Sequence, residues 1–359
     1  FRDQRLQAFG RLAHVFAPGV GQGSGGVLFA EETKQATLPG LGMADDQYLH
    51  VAGQYNQIAL MLLLHLYEMP VHDSLQRFIF EHAPIRGEIV HLDATWQAVL
   101  ERRDYPPRVR DMLGELMAAA ALLTSTLKFD GRLIMQVQGN GPVSLLVVEC
   151  TSDRTMRAIA QWNGEVPDAP LSELVGDGRL AVTIDPLKGK ERYQAIVSLE
   201  GHTVTEAFEN YFARSEQLDT RLWLASDPRQ AAGMLLQRLP GNPEMDDDAW
   251  DRAVHLGSTV TREELLAVPV REIIHRLYHE EDIRLFSRLP VSFRCTCSRE
   301  RVESVLRMLG LGEIHSILAE QGMVRVDCEY CGSRYELDRI DAEQLFASTH
   351  SAPAAHTRH

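Results

Sequence analysis

Cysteine carries most of the chemistry this sequence can do. Four of its five cysteines fall in two short clusters, Arg294-Cys295-Thr296-Cys297-Ser298 and Asp327-Cys328-Glu329-Tyr330-Cys331-Gly332, with residues 298–327 between them. Two close pairs at such a separation are the ligand pattern of a four-thiolate zinc site. The second pair is the usual Cys-x-x-Cys knuckle; the first, Cys-x-Cys, is tighter than a common zinc ribbon uses. One zinc ion held by Cys295, Cys297, Cys328 and Cys331 is therefore the expectation. Coordination also keeps each sulfur as thiolate, the form that oxidants attack. A disulfide within a Cys-x-Cys pair closes a very small ring, so it is strained and easily reduced again. The four residues thus suit a permanent structural knuckle or a site that exchanges metal for disulfides; their spacing supports the metal more strongly than the switch. Arg294 and Arg299 flank the first pair and are expected to favour its thiolate form.

The segment that must position these cysteines is small. Residues 291 to about 337 hold few large apolar side chains, among them Leu306, Leu309, Leu311, Ile314, Ile317, Leu318 and Val324. A lobe of about 50 residues is near or below the size that folds on its core alone. Four-thiolate zinc supplies on the order of 10–16 kcal/mol, so folding of the lobe should depend on the metal. Upstream, Pro240-Gly241-Asn242-Pro243 marks a boundary, and Glu244, Asp246, Asp247, Asp248 and Asp251 form an acidic helix start. Thr261-Arg262-Glu263-Glu264 has the capping-box pattern, and Pro269 suits the first turn of a helix carrying Ile273, Ile274, Leu277 and Tyr278. Such short, weakly apolar helices would dock onto something larger and not stand alone. Residues 240–290 are expected to form a metastable helical linker, 291–345 a zinc-binding domain and 346–359 a disordered tail.

Residues 69–239 read as an α+β core domain. Residues 75–80 open a short amphipathic element, and residues 86–92 alternate like a strand. Thr95 is placed to cap a helix with Trp96, Val99 and Leu100 on one side, and residues 109–127 form a long helix whose Ala118–Ala121 run permits close packing. Residues 133–138 and 143–149 flank the turn Gly139-Asn140-Gly141-Pro142 as a hairpin. Residues 180–184 and 193–199 suggest a further antiparallel pair, residues 205–218 a helix with Phe208, Tyr211 and Phe212 inward, and residues 220–225 and 231–239 two more strands. Sequentially paired strands with inserted helices favour an α+β domain over a doubly wound one. Cys150, at the end of a strand, is expected to be a buried small apolar residue. The chain opens on Phe1; residues 1–68 are expected to be a non-core extension or a misassigned start, with Met69-Pro70 a natural beginning.

Several function classes fall away. A net charge of −14 over 359 residues disfavours nucleic-acid binding, which needs basic surface. The strongest apolar run, residues 58–66, is far below the roughly 20 residues of a bilayer span, so no membrane partner is expected. Gly21-Gln22-Gly23-Ser24-Gly25-Gly26 matches a dinucleotide fingerprint formally but lacks the strand before it and the helix after it. No nucleophile elbow, phosphate loop or His-Glu-x-x-His motif is present, His82, His91 and His202 are scattered, and Glu263-Glu264 and Glu280-Glu281 read as solvated faces; an enzyme is not expected. Clustered thiol pairs without an export signal point to a reducing cytoplasm.

The chain resembles the bacterial redox-regulated, zinc-dependent 33 kDa heat-shock chaperones. The resemblance rests on Phe293-Arg294-Cys295-Thr296-Cys297-Ser298-Arg299-Glu300-Arg301 and Asp327-Cys328-Glu329-Tyr330-Cys331-Gly332. It extends to Leu127-Lys128-Phe129-Asp130-Gly131, Tyr211-Phe212-Ala213-Arg214-Ser215-Glu216-Gln217-Leu218 and Arg276-Leu277-Tyr278-His279-Glu280-Glu281, covering about residues 73–345. It implies an ATP-independent holdase, zinc-bound and inactive when reduced. On oxidation such a protein forms the disulfides Cys295–Cys297 and Cys328–Cys331, releases zinc, unfolds its linker, dimerises and captures unfolding or oxidatively damaged client proteins. Two other readings stay open beside it: a structural zinc-ribbon module for protein or nucleic-acid partners, and a dithiol oxidoreductase, for which no thioredoxin-like βαβ setting is visible.

Overall fold

The computed structural model describes residues 73–347, apart from 188–190, 200, 202, 213–217 and 241–247. The Gly-rich 21–26 stretch, the 1–68 extension, His202 and residues 348–359 lie outside the described residues. Those described contain fourteen strands and ten helices, arranged as two large sheets around one helix, a helical cover and a cysteine lobe.

That central helix is α2 (Pro107–Thr126). It is buried on nearly every side, from Val109 through Ala118–Ala121 to Thr126. A helix apolar all round must be enclosed, and α2 lies against strands of both sheets. The first sheet has the order β10-β1-β2-β9-β8, where β1 is Ser74–Phe80, β2 Ile85–Leu92, β8 Thr220–Ser226, β9 Ala231–Arg238 and β10 Ile283–Leu285. The amphipathic element expected at 75–80 is thus a strand. The second sheet runs from β12 (Ser292–Phe293) through β5 (Thr155–Trp162), β4, β3 and β6 to β7. Here β3 (Gly131–Gln138) and β4 (Val143–Thr151) are the expected hairpin, and β6 (Arg179–Pro186) and β7 (Tyr193–Ser198) the expected antiparallel pair. Between them, β5 (Thr155–Trp162) is an added antiparallel neighbour of β4. Cys150 is fully buried, which pushes its thiol up to about 12. The mixed α+β architecture with antiparallel sheets agrees with the expectation.

One capping detail differs from expectation. The helix α1 (Ala94–Leu100) is not capped by Thr95, which is buried in its first turn. The cap is the Asp73 carboxylate, which accepts hydrogen bonds from the backbone N–H groups of Asp93 (2.8 Å) and Thr95 (2.9 Å). Of the helix expected over 205–218, the described part is α4 (Val204–Tyr211), preceded by the short α3 (Leu171–Val175); Phe208 and Phe212 are buried as expected.

Residues 249–278 form α5 (Ala249–Gly257), α6 (Arg262–Ala267) and α7 (Val270–Tyr278), lying on the face of the first sheet turned away from α2. Side chains alternate across a strand, so Phe78, Phe80, Ile85, Ile89, Met234 and Leu236 share that face. Onto it the helices place Leu265, Leu266, Val270, Ile273, Ile274, Leu277 and Tyr278. Gly87 pairs with Phe78, whose ring occupies the space a Cβ would take, with Cζ only 2.1 Å from its ideal position. The Thr261–Glu264 capping box is formed, and His91 Nε2 donates to the Leu265 carbonyl at 2.8 Å.

The chain then returns to both sheets before reaching the cysteines. After β10, β11 (Leu289–Pro290) also pairs with β1, and β12 (Ser292–Phe293) runs parallel to β5. The lobe follows: α8 (Arg299–Leu309), α9 (Leu311–Gln321), the ribbon β13 (Val324–Asp327) and β14 (Arg334–Leu337), and α10 (Arg339–Ala347). Its core gathers Leu306, Ile314, Leu318, Val324, Leu337, Ala342 and Leu345. Phe346 packs against that core, so helical structure runs two residues into the stretch expected to be tail.

Candidate metal centre

Each cysteine pair sits at the start or end of a regular element. Phe293 closes β12, Cys295 and Cys297 follow, and Ser298 then caps α8 by accepting from the Arg301 N–H at 3.3 Å. Cys328 and Cys331 form the tight turn between β13 and β14. There Gly332 N–H donates to the Cys328 carbonyl at 2.7 Å, with Gly332 at φ 70°, a left-handed conformation glycine adopts without strain.

Folding brings the four sulfurs within 4.8 Å of one another. Cys295 Sγ lies 3.7 Å from Cys328 Sγ, and Cys297 Sγ 3.4 Å from Cys331 Sγ. All four are free thiols. Tetrahedral zinc with Zn–S bonds of about 2.3 Å separates its sulfurs by about 3.8 Å, so donor type, number and spacing fit a single zinc ion. The cluster gathers all four sequence-predicted ligands, one pair from the entrance to the lobe and one from the β13–β14 turn.

The surroundings treat the four thiols unequally. Burial pushes Cys328 up to about 12 and raises Cys297 as well. Against the upward push of burial, hydrogen bonds from the Ser333 side chain and backbone hold Cys331 at about 6; Cys331 Sγ and Ser333 Oγ are 3.2 Å apart. Tyr335 Oη donates to Cys297 Sγ at 3.1 Å, and that bond leads the rise of its phenol to about 12. A bound cation must therefore displace protons that the protein alone leaves on Cys328 and Cys297, which makes metal affinity fall with acid.

The arginines near the cysteines are not the expected ones. Arg299 is directed at Glu303 and Asp341, at 3.1 Å each, and not at a sulfur. Arg294 contributes its backbone N–H, which bonds the Met156 carbonyl at 2.9 Å. The guanidinium beside a sulfur is that of Arg157 on β5, whose Nη1 lies 3.8 Å from Cys295 Sγ. No local signal reveals it, since 138 positions separate the two residues. Of the histidines and paired acids set aside in the sequence, His82 faces Asp282 at 2.9 Å and Glu281 binds Arg252 at 2.6 Å. Among the described residues, none of these joins the sulfur cluster. No described helix is long and apolar enough to cross a membrane.

Comparison with known proteins agrees with this architecture. The family described as Hsp33 protein matches residues 73–338. The chain is 52% identical over 287 residues to a 33 kDa chaperonin of Nitrosococcus oceani, spanning 80% of this chain and 99% of the relative. It is 49% identical over 293 residues to the 33 kDa chaperonin of Methylobacillus flagellatus, spanning 81% and 100%. Its fold is similar to the crystal structure of the 33 kDa chaperonin (heat shock protein 33 homolog) of Thermotoga maritima, with a TM-score of 0.67, 22% identity, and coverage of 77% of this chain and 99% of that one. By these matches, which run across both sheets, the helical cover and both cysteine pairs, the chain belongs to the Hsp33 family of chaperones.

Proposed function

We propose that this protein is a redox-regulated, ATP-independent holdase whose cysteine lobe is closed by zinc when reduced. The observation that carries this reading is a four-thiol cluster at tetrahedral spacing, inside a lobe whose own core is seven buried residues. Cys295, Cys297, Cys328 and Cys331 would hold the ion, which would keep the four sulfurs as thiolates and tie the entrance of the lobe to its β13–β14 turn. In this reading residues 69–239 are the chaperone core, 240–290 the metastable linker and 291–345 the switch.

Under peroxide, Cys295 pairs with Cys297 and Cys328 with Cys331. Each new S–S bond yields two electrons to one hydrogen peroxide, whose O–O bond breaks; with two protons it leaves as two waters. Two such events consume all four ligands. The lobe then loses the largest contribution to its folding, and α5–α7, joined to it through the two- and three-residue strands β10–β12, are released from the first sheet. Phe78, Phe80, Ile85, Ile89, Met234 and Leu236 then become available to unfolding or oxidatively damaged proteins. The oxidised protein acts as a homodimer, in the cytoplasm, where reduction resets it.

Released zinc and the light scattering of a denaturing client, measured before and after peroxide with mild heat, test this reading. One zinc per chain is released and scattering is suppressed without ATP. Oxidised protein that keeps its zinc and leaves aggregation unchanged contradicts it, and retention of zinc alone would mark the lobe as a structural ribbon.

A further inference from the structure

The contact between the lobe and the second sheet is centred on one arginine. Arg157 and Glu149 are cross-strand partners on β5 and β4, and Arg157 Nη2 donates to Glu149 Oε1 at 2.7 Å. On the lobe side the same guanidinium meets one cysteine and the tyrosine that lies between two others. Its Nη1 lies 3.8 Å from Cys295 Sγ, and its Cζ is 4.0 Å from the ring centroid of Tyr330, which stands between Cys328 and Cys331. Tyr330 Oη reaches back to Glu149 Oε1 at 3.3 Å, and Gln161 Nε2 donates to Glu329 at 3.2 Å. Both charged side chains are largely covered, at 12% and 13% exposed.

Charge counting shows what this contact depends on. Glu149 is shared with Arg132, whose Nη1 lies 3.7 Å away and whose Nη2 binds Asp185 at 2.7 Å. Arg157 thus has only part of one carboxylate from its own sheet, and its buried Nε finds no hydrogen-bond partner among the described residues. A buried cation needs a fully formed set of anions and acceptors. Four thiolates around one divalent cation carry a net charge of −2, and Cys295 brings that charge to Nη1. Disulfides are neutral. We infer that Arg157 is the positioning residue that docks the lobe on the second sheet, held there by the thiolate charge of the reduced centre and released when oxidation removes that charge.

This rests on the proposed zinc-thiolate switch, and the test separates the two. Zinc stoichiometry and disulfide formation in the unsubstituted protein under peroxide report on the switch itself. Hydrogen exchange of residues 155–162 and 328–331, with zinc transfer to a colorimetric chelator, then compares reduced, zinc-loaded protein with R157Q and R157K. R157Q still binds one zinc, but exchange in both segments and the zinc transfer rate rise about tenfold, the scale of a desolvated cation–π and charge contact. R157K, keeping the charge without the planar fork, restores part of the protection. After oxidation the unsubstituted protein and R157Q become alike in both segments. Should R157Q fail to fold, Y330L removes the ring from the lobe side, leaves the sheet intact and gives the same change at smaller size. Unchanged exchange and zinc transfer in the reduced variants, or a difference that persists after oxidation, overturns the inference.

Discussion

Eighteen buried residues join the outer face of the first sheet to helices α5–α7, whereas the cysteine lobe gathers only seven around its own centre. The lobe also leaves Val305, Met308, Leu309, Leu311 and Ile340 exposed, with Met308 at 77%. Burying apolar surface contributes roughly 25 cal/mol per Å², so the two regions must be held by different means. The sheet and its cover are stabilised by packing. The lobe, with a two-stranded ribbon and three helices, has the smaller core, and its four sulfurs are placed to supply the ligands of a cross-link. The contrast shows how one chain can keep a durable pair of sheets beside a lobe that a change of four atoms can dismantle.

The largest effect expected from this contrast comes from Cys328→Ser. Losing one thiolate removes most of the metal's contribution, on the order of 10 kcal/mol. Lobe amides in α8–α10 should exchange at nearly unprotected rates while β3–β6 remain protected; equal protection in both regions would dissolve the comparison. Next is Ile273→Ala on α7. Its side chain is 2% exposed against the first sheet, and truncation should cost about 2–4 kcal/mol, read as a lower denaturation midpoint of the cover with zinc content unchanged.

A third prediction concerns pH and the core alone. Glu88 on β2 is buried at 2% exposed, and burial, only partly offset by Arg86 and Arg77, pushes its carboxyl from 4.5 up to about 7. Between those values the native state holds a proton that the unfolded chain has lost. Stability from this group is therefore full below about pH 4.5 and falls as pH rises through 7, by up to about 3 kcal/mol. Glu88→Gln should flatten that part of a pH series of chemical denaturation; an unaltered slope would show that Glu88 is ionised in the folded protein. The smallest effect is Thr261→Ala, which breaks the capping box of α6 and should cost about 1 kcal/mol, visible as faster exchange at the start of that helix.

What could be read from the sequence was mostly local. The cysteine pairs declare themselves because ligand spacing is a short-range property, and the β3–β4 hairpin because Gly139-Asn140-Gly141-Pro142 is turn chemistry. The Thr261 box and the long helix α2 follow the same logic. Long-range partners were not visible. Asp73 caps a helix twenty residues away, Arg157 reaches a sulfur 138 positions on, and β10–β12 are two or three residues long, too short for any periodicity. The strand β5 was hidden because Met156, Ala158, Ile159 and Ala160 are buried in near-continuous order, without the alternation of a half-exposed strand.

Hydrogen exchange of α5–α7 in the reduced, zinc-loaded protein and again after peroxide tests the central claim most directly. A latch on the lobe that also controls the cover predicts protected amides in residues 249–278 before oxidation and exchange within seconds after it, with β2, β3, β4 and β9 protected throughout. Helices that stay protected once all four thiols are consumed would contradict it.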